Sequence, residues 1–230
     1  MKAFLLAAGI GSRLRPITDN IPKCLVPING HPLLYYWFRL FAKYNVNQVL
    51  INLHHLPEKV YRFFENYSFQ VDVQFFHEKE LLGSGGTIKA NHDFIKDEDS
   101  FLICYADNLT NVNLGSFIRF HQQGDQLLSL GVFETNAPKE CGIVELDSEN
   151  RVIGFEEKPD QPKSNLANAG LYIADPGIFK YFPDKGLIDF GYHVLPRLAG
   201  QMKAFKIDDY HLDIGTMENY QKAQNEWNLM

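Results

Sequence analysis

Apolar runs rich in β-forming residues alternate with segments of helical period through the first half of the chain. That alternation constrains the fold more than any other feature. Residues 2–8 (KAFLLAA) read as a strand, and from Pro32 the stretch PLLYYWFRLFAKY reads as a helix with proline in its first turn. Residues 48–53 read as a strand, 57–67 as a helix and 71–78 as a strand, and 83–95 as a glycine turn running into a helix. FLICYAD (101–107) is a continuous apolar run ending in aspartate, as suits a strand buried on both faces. The second half changes texture: LLSLGVFET, CGIVELD, RVIGFEEKP and LANAGLYIAD read as short strands, CGIVELDSENRVIGFEE as a hairpin, and MENYQKAQNEW as a closing helix. The expectation is an α/β fold with a mixed, mostly parallel sheet flanked by helices. It would form a single domain with an N-terminal α/β half over about 1–135 and a second half, richer in antiparallel strands, over about 136–230.

The 230 residues suffice for one large buried core, and 45% hydrophobic with 22% charged residues is the balance of a soluble globular chain. No apolar stretch approaches the roughly 20 residues a bilayer span needs. The opening apolar run leads into a Gly-Arg loop, so it reads as a first strand and not as a signal peptide. Cys24, Cys104 and Cys141 are odd in number and widely spaced, fitting neither a disulfide framework nor a zinc site; a reducing cytoplasm is the simplest setting. A net charge of −6 argues against a nucleic-acid surface, so any polyanion site must concentrate its positive charge locally. Self-association into a homo-oligomer is left open.

The local concentration is found directly after the first strand, in LLAAGIGSRLRPITDNIPKCLVP (5–27). Glycines at a strand exit leave backbone N–H groups unobstructed for phosphate oxygens, but Gly9-x-Gly11 alone fits a tight turn equally well. It is not a Walker A loop, which needs a following Gly-Lys-Ser/Thr. Nor is it the dinucleotide fingerprint, whose third glycine is replaced by Leu14 and whose later acidic residue is missing. Arg13 and Arg15 follow at once, and Lys23 sits between two prolines. An arginine fork and a lysine point charge both match phosphate.

The stretch LAAGIGSRLRPITDNIPKCLVPINGHPLLYY closely resembles the N-terminal signature of the sugar-1-phosphate nucleotidyltransferases, and the resemblance continues along the whole chain. It implies a Rossmann-like, GT-A-like fold. Ala8, Gly9, Gly11, Ser12, Arg13 and Lys23 would then cradle a nucleoside triphosphate, with Gly83 and Gly85 of ELLGSGGTIKA against its base. CYADNL is similar to the family's magnesium-binding strand end, placing the metal on Asp107; LDIGTMENY supplies a second metal-binding aspartate, Asp213. CGIVELD, FEEKP and NAGLYI look like sugar-phosphate segments, carrying over Gly142, Glu157, Lys158, Asn168 and Gly170. Ser12 stands for the usual threonine and Ala106 for the usual glycine, while Cys24 and His211 flank functional positions. The left-handed β-helix extension of some relatives is not expected.

The implied reaction joins a sugar 1-phosphate to the α-phosphorus of the triphosphate and releases pyrophosphate, with Arg13, Lys23, Asp107 and Lys158 as the catalytic set. In texture the chain is most similar to guanylyltransferases for mannose or manno-heptose 1-phosphate, giving GTP as the nucleotide. Thymidylyl- or uridylyltransferases for glucose 1-phosphate are the nearest alternative, and a non-catalytic nucleotide-sugar-sensing subunit is the rival of another class. A nicotinamide oxidoreductase is disfavoured by the incomplete fingerprint. More ordinary roles are Asp107 as a helix cap and Asn168 as a backbone partner; His54-His55 read as structural, and Tyr35, Tyr36, Trp37, Phe38 and Phe41 as core.

Overall fold

A computed structural model describes residues 1–227. In chain order its strands and helices are β1 (Lys2–Leu6), β2 (Pro27–Ile28), β3 (His31–Pro32), α1 (Leu33–Lys43), β4 (Gln48–Leu53), α2 (Pro57–Asn66) and β5 (Asp72–His77). There follow α3 (Ser84–Ala90), β6 (Phe101–Tyr105), β7 (Asn108–Thr110), α4 (Leu114–Gln122), β8 (Leu128–Glu134), β9 (Gly142–Leu146) and β10 (Arg151–Glu157). The last are β11 (Leu166–Ala174), α5 (Phe190–His193), β12 (Met202–Lys206), β13 (His211–Asp213) and α6 (Met217–Glu226).

The chain packs as two compact units. The first unit gathers residues 1–81, 105–112 and 209–230; the second gathers 82–104 and 113–208. The physical reason for the interleaving is β13, which returns to pair antiparallel with β7 and sets Asp213 opposite Asn108.

In the first unit β1, β4 and β5 run parallel, in register from Lys2↔Gln48 and Gln48↔Asp72. Strand β4 is buried from Val49 to Leu53, its apolar residues interrupted only by Asn52. Helix α1 buries Leu33, Leu34, Trp37, Phe38, Leu40 and Phe41, a stripe at helical spacing. Tyr35 and Tyr36 lie at the margin of that stripe: Tyr36 donates its hydroxyl to the Ile28 carbonyl at 2.7 Å, and Tyr35 stacks on His31. Pro32 stands at the helix N-cap, one position earlier than expected. A separate apolar cluster joins Leu14, Val26, Ile28, Leu33, Leu109, Ile214 and Ala223, so the segments flanking the glycine loop share a core with β7, β13 and α6.

In the second unit the pairings β6–β11, β11–β8, β9–β10 and β10–β12 are antiparallel, and β8–β12 is parallel. The sheet is therefore mixed, as expected, with a larger antiparallel share here than "mostly parallel" conveys. The β9–β10 hairpin is present as read, and Ala167 of β11 also pairs with Ile143 of β9. Strand β11 slips its register against β8 between Asn168 and Tyr172, around Gly170 with φ at +62°. The stretch read as one helix over 83–95 divides into α3 and a 3-10 turn at His92–Ile95. Among the described residues no helix is long and apolar enough to cross a membrane.

Candidate active site

The phosphate-loop residues of the first unit sit at the exit of β1. Ala7 donates its N–H to Asn52 Oδ1 at 2.7 Å, and Asn52 Nδ2 in turn donates to Glu78 Oε1 at 2.8 Å. These two buried polar groups, unremarked in the sequence, hold the strand end in place; the signal for Asn52 was an amide inside an otherwise apolar strand. Gly11 has a double reason to be glycine. Its φ of +72° lies in the left-handed region, and a Cβ there would meet Thr18 Cγ2 at 2.9 Å. Thr18 closes the loop by donating Oγ1 to the Gly11 carbonyl at 2.7 Å. Gly9 differs: a Cβ there would meet nothing within 4 Å, so its backbone faces an open approach. With Leu6, Ala7, Lys23, Cys24, Ala106 and Asp107 it lines a small recess.

Four charges converge beside this recess. Lys23, buried in a short 3-10 turn after Pro22, forms an ion pair with Asp107 Oδ2 and lies 3.6 Å from Asp213 Oδ1. The Ile214 N–H donates to the Asp107 carbonyl at 2.8 Å, tying the two aspartate segments together. The guanidinium of Arg13 and both carboxylate oxygens of Asp213 crowd Gly215, where a Cβ would lie 3.0 Å from Arg13 Nη2 and 2.9 Å from the carboxylate oxygens. Burial alone would lower the Lys23 ammonium, but Asp107 and Asp213 together raise it above its ordinary 10.5. Burial and the neighbouring Asp107 raise the Asp213 carboxyl, against the pull of Lys23 and Arg13. Cys24, wholly buried beside them, has its thiol pushed up to about 12 by burial. Burial also takes His211 down to about 4, leaving its ring neutral at pH 7.

The donor set fits a hard cation. Two carboxylate groups converge on Lys23 Nζ, and Mg²⁺ characteristically takes one or two carboxylates plus water and substrate phosphate. No group of three or more His, Cys, Asp or Glu side chains is gathered among the described residues. His54 and His55 face backbone carbonyl oxygens, of Glu78 at 2.8 Å and Thr18 at 3.3 Å.

The remaining candidates lie in the second unit. Gly142 pairs with Glu157 across the β9–β10 hairpin, and a Cβ on Gly142 would lie 2.6 Å from Glu157 Oε2. Burial raises the Glu157 carboxyl above its usual range. Lys158 follows with φ at +49°, its N–H donating to the Cys141 carbonyl at 3.0 Å and its side chain exposed. Asn168 spends its side chain inside the β11 bulge: Nδ2 donates to the Tyr172 hydroxyl at 2.7 Å and Oδ1 accepts from Gly170 N–H at 2.9 Å. The alternative of Asn168 as a backbone partner is thus realised. Gly83 and Gly85 have a packing reason, since Cβ atoms there would meet the Ile188 carbonyl oxygen at 2.5 Å and Ile188 Cγ2 at 2.7 Å. Gly9, Gly11, Arg13, Lys23, Asp107 and Asp213 thus lie in the first unit, and Gly83, Gly85, Gly142, Glu157, Lys158, Asn168 and Gly170 in the second.

Residues 2–228 match the nucleotidyl transferase family. The chain belongs to that family. It is 31% identical to the D-glycero-α-D-manno-heptose 1-phosphate guanylyltransferase of Aneurinibacillus thermoaerophilus over 229 residues, 98% of both chains. It is 28% identical to the UTP–glucose-1-phosphate uridylyltransferase of Synechocystis sp., aligning 97% of its own length. It spans 62% of that relative and 51% of another, the bifunctional protein GlmU of Methanocaldococcus jannaschii. Among solved structures, HddC from Yersinia pseudotuberculosis complexed with GMP-PN superposes with a TM-score of 0.82 at 27% identity, covering 98% of this chain and 99% of that one. The nucleotidyl transferase membership accords with the α/β fold and with the glycine loop of the first unit.

Proposed function

We propose that the protein is a sugar-1-phosphate nucleotidyltransferase that uses GTP and mannose or manno-heptose 1-phosphate to make a GDP-sugar and pyrophosphate. The observation that carries this reading is the Arg13–Lys23–Asp107–Asp213 cluster beside the open Gly9 backbone. The guanylyl assignment is supported by the manno-heptose relative, whose whole length the chain matches, and by the likeness to a structure holding GMP-PN. A uridylyl or thymidylyl specificity for glucose 1-phosphate is the second reading, favoured by the Synechocystis relative. Three cysteines without a disulfide accord with a cytoplasmic setting.

The chemistry needs no general base, because the attacking oxygen of the sugar phosphate is already ionised at neutral pH. One P–O bond forms to the α-phosphorus, one breaks, and pyrophosphate leaves with the electron pair. The obstacle is repulsion between substrates that together carry about six negative charges. Alignment and charge neutralisation then supply the rate. In this reading the loop N–H groups from Ala8 to Ser12 cradle the triphosphate, Arg13 holds the departing pyrophosphate and Lys23 the nucleotide phosphates. Lys158 receives the sugar phosphate, while Gly142, Glu157, Asn168 and Gly170 shape the sugar pocket and Gly83 and Gly85 the base pocket. Asp107 and Asp213 would hold Mg²⁺, which when bound supplies charge neutralisation at the reacting phosphates. The test is pyrophosphate release by the purified protein, with each nucleoside triphosphate against a panel of sugar 1-phosphates. GTP with mannose or manno-heptose 1-phosphate is expected to be fastest. Preference for UTP or dTTP with glucose 1-phosphate would favour the second reading, and no release with any pair would overturn both.

A further inference from the structure

The Glu157 carboxylate is held in a cleft cut by two glycines. Besides Gly142, Gly191 stands against it: a Cβ on Gly191 would lie 2.8 Å from Glu157 Oε2 and 3.3 Å from Asp189 Oδ1. Gly191 belongs to α5, a single turn too short to hold its own position. Asp189 caps that turn, accepting the Tyr192 N–H at 3.0 Å, and its own N–H donates to His193 Nδ1 at 2.8 Å. Ser84, the first residue of α3, donates its hydroxyl to Asp189 Oδ2 at 3.2 Å and accepts the Phe190 N–H at 2.8 Å. Two backbone bonds complete the clasp, Gly86 N–H to the Ile188 carbonyl at 2.9 Å and Ile188 N–H to the Leu82 carbonyl at 3.0 Å. Gly83, Gly85 and Gly86 admit that close approach.

We infer that Ser84 and Asp189 are positioning residues for Glu157, fixing α5 so that Gly191 closes one wall of the cleft in which Glu157 accepts sugar hydroxyls. This rests on the functional reading above and extends it to two residues that do not themselves contact substrate. The clasp does two separable things. Ser84 sets where α5 sits, and the Asp189 charge acts on Glu157 directly. Burial raises the Glu157 carboxyl first of all; of the charges facing it, Lys158 pulls it down and Asp189 pushes it up.

Three variants separate these effects. Asp189→Asn keeps an N-cap acceptor and removes the charge, Ser84→Ala removes the clasp hydroxyl, and Ser84→Thr restores one. The first readout is a carbon-13 titration of the Glu157 side-chain carboxyl, which does not depend on turnover. The wild-type midpoint is expected above that of ordinary glutamate and should fall in Asp189→Asn; an unmoved midpoint overturns the inference even if the enzyme is active. The second readout is steady-state kinetics. Ser84→Ala should raise the KM for the sugar 1-phosphate at least fivefold with the triphosphate KM within twofold, and Ser84→Thr should recover most of the loss. Equal losses on both substrates, or a loss confined to the triphosphate, would make Ser84 a nucleotide-side or merely structural residue and overturn its positioning role. A wild type without turnover on any substrate pair, yet with the shifted midpoint, would strike the functional reading and leave the Glu157–Asp189 coupling standing.

Discussion

Lys158 adopts a left-handed backbone, φ +49°, that a side chain with a Cβ enters at a cost of about 1–2 kcal/mol. Its side chain is exposed, so packing does not explain the choice. Lys158→Gly should therefore stabilise the protein by about 1 kcal/mol, some 2–4 °C in Tm for a chain of this size, while raising the KM for sugar 1-phosphate at least tenfold. Calorimetry and kinetics on the same sample check both halves, and a glycine variant that loses stability would show the strain to be absent. Asp107 makes the complementary case. Asp107→Asn keeps the shape of the Lys23 contact and removes the charge, so turnover should fall by about a hundredfold or more with the fold intact by circular dichroism. EDTA should silence the wild type reversibly, and full activity in excess EDTA would remove Mg²⁺ from the site.

At the scale of elements, an exposed clasp orders the strands of the second unit. Arg151 of β10 and Lys203 of β12 are paired directly across the ladder, an arrangement of like charges that costs stability by itself. Asp125 resolves it, its Oδ2 lying 3.1 Å from Arg151 Nη2 and its Oδ1 2.9 Å from Lys203 Nζ. Hydrogen bonds from Lys203 and Arg151 hold the Asp125 carboxyl down at about 2, from its usual 3.8. Because the folded value is the lower one, the stabilisation is present above about pH 4 and is lost as the pH falls towards 2. Asp125→Ala should lower Tm at pH 7 in low salt, and the difference from wild type should shrink in 1 M salt and as the pH falls through about 2. Local pattern revealed β4 and the β9–β10 hairpin, where strand-forming residues are bounded by turn residues, but not β12, whose short Met202–Lys206 stretch carries two lysines. It could not reveal β13 returning to β7, or Ser84 meeting Asp189, since neither pairing leaves a mark on the residues nearby. Legibility of the site followed the same line. The glycine loop, Lys23, Asp107 and Asp213 are readable from local motifs, and the folded chain brings them together. Asn52, Glu78, Ser84 and Asp189 act through bonds between distant segments, and only the folded chain displays those bonds.

Over the molecule as a whole, the question for the proposed reaction is whether any protein group could attack the nucleotide before the sugar phosphate does. Burial pushes the Cys24 thiol up to about 12 and Cys104 well above its ordinary value, so neither supplies a thiolate at pH 7. Ser129 does bond a histidine, His121 Nδ1 at 2.9 Å, and that ring reaches Asp175 at 3.0 Å. Yet Ser129 is wholly buried and also accepts from Gln126 Nε2 at 2.8 Å, so no substrate can reach its oxygen. His54 and His55 are engaged with carbonyl oxygens. The charged cluster itself offers cations and carboxylates for positioning, with Asp107 and Asp213 both facing Lys23. A direct displacement by the sugar phosphate oxygen is then the route the chain supports, and it requires both substrates bound at once. Double-reciprocal plots should give intersecting lines, the α-phosphorus should invert, and the sugar should keep its anomeric configuration because the bond to the anomeric carbon is never broken. Acid-quenched protein from a reaction with α-labelled triphosphate should carry no label. Parallel lines together with label retained on the denatured chain would require a nucleophile, and a mechanism in two half-reactions would replace the single step.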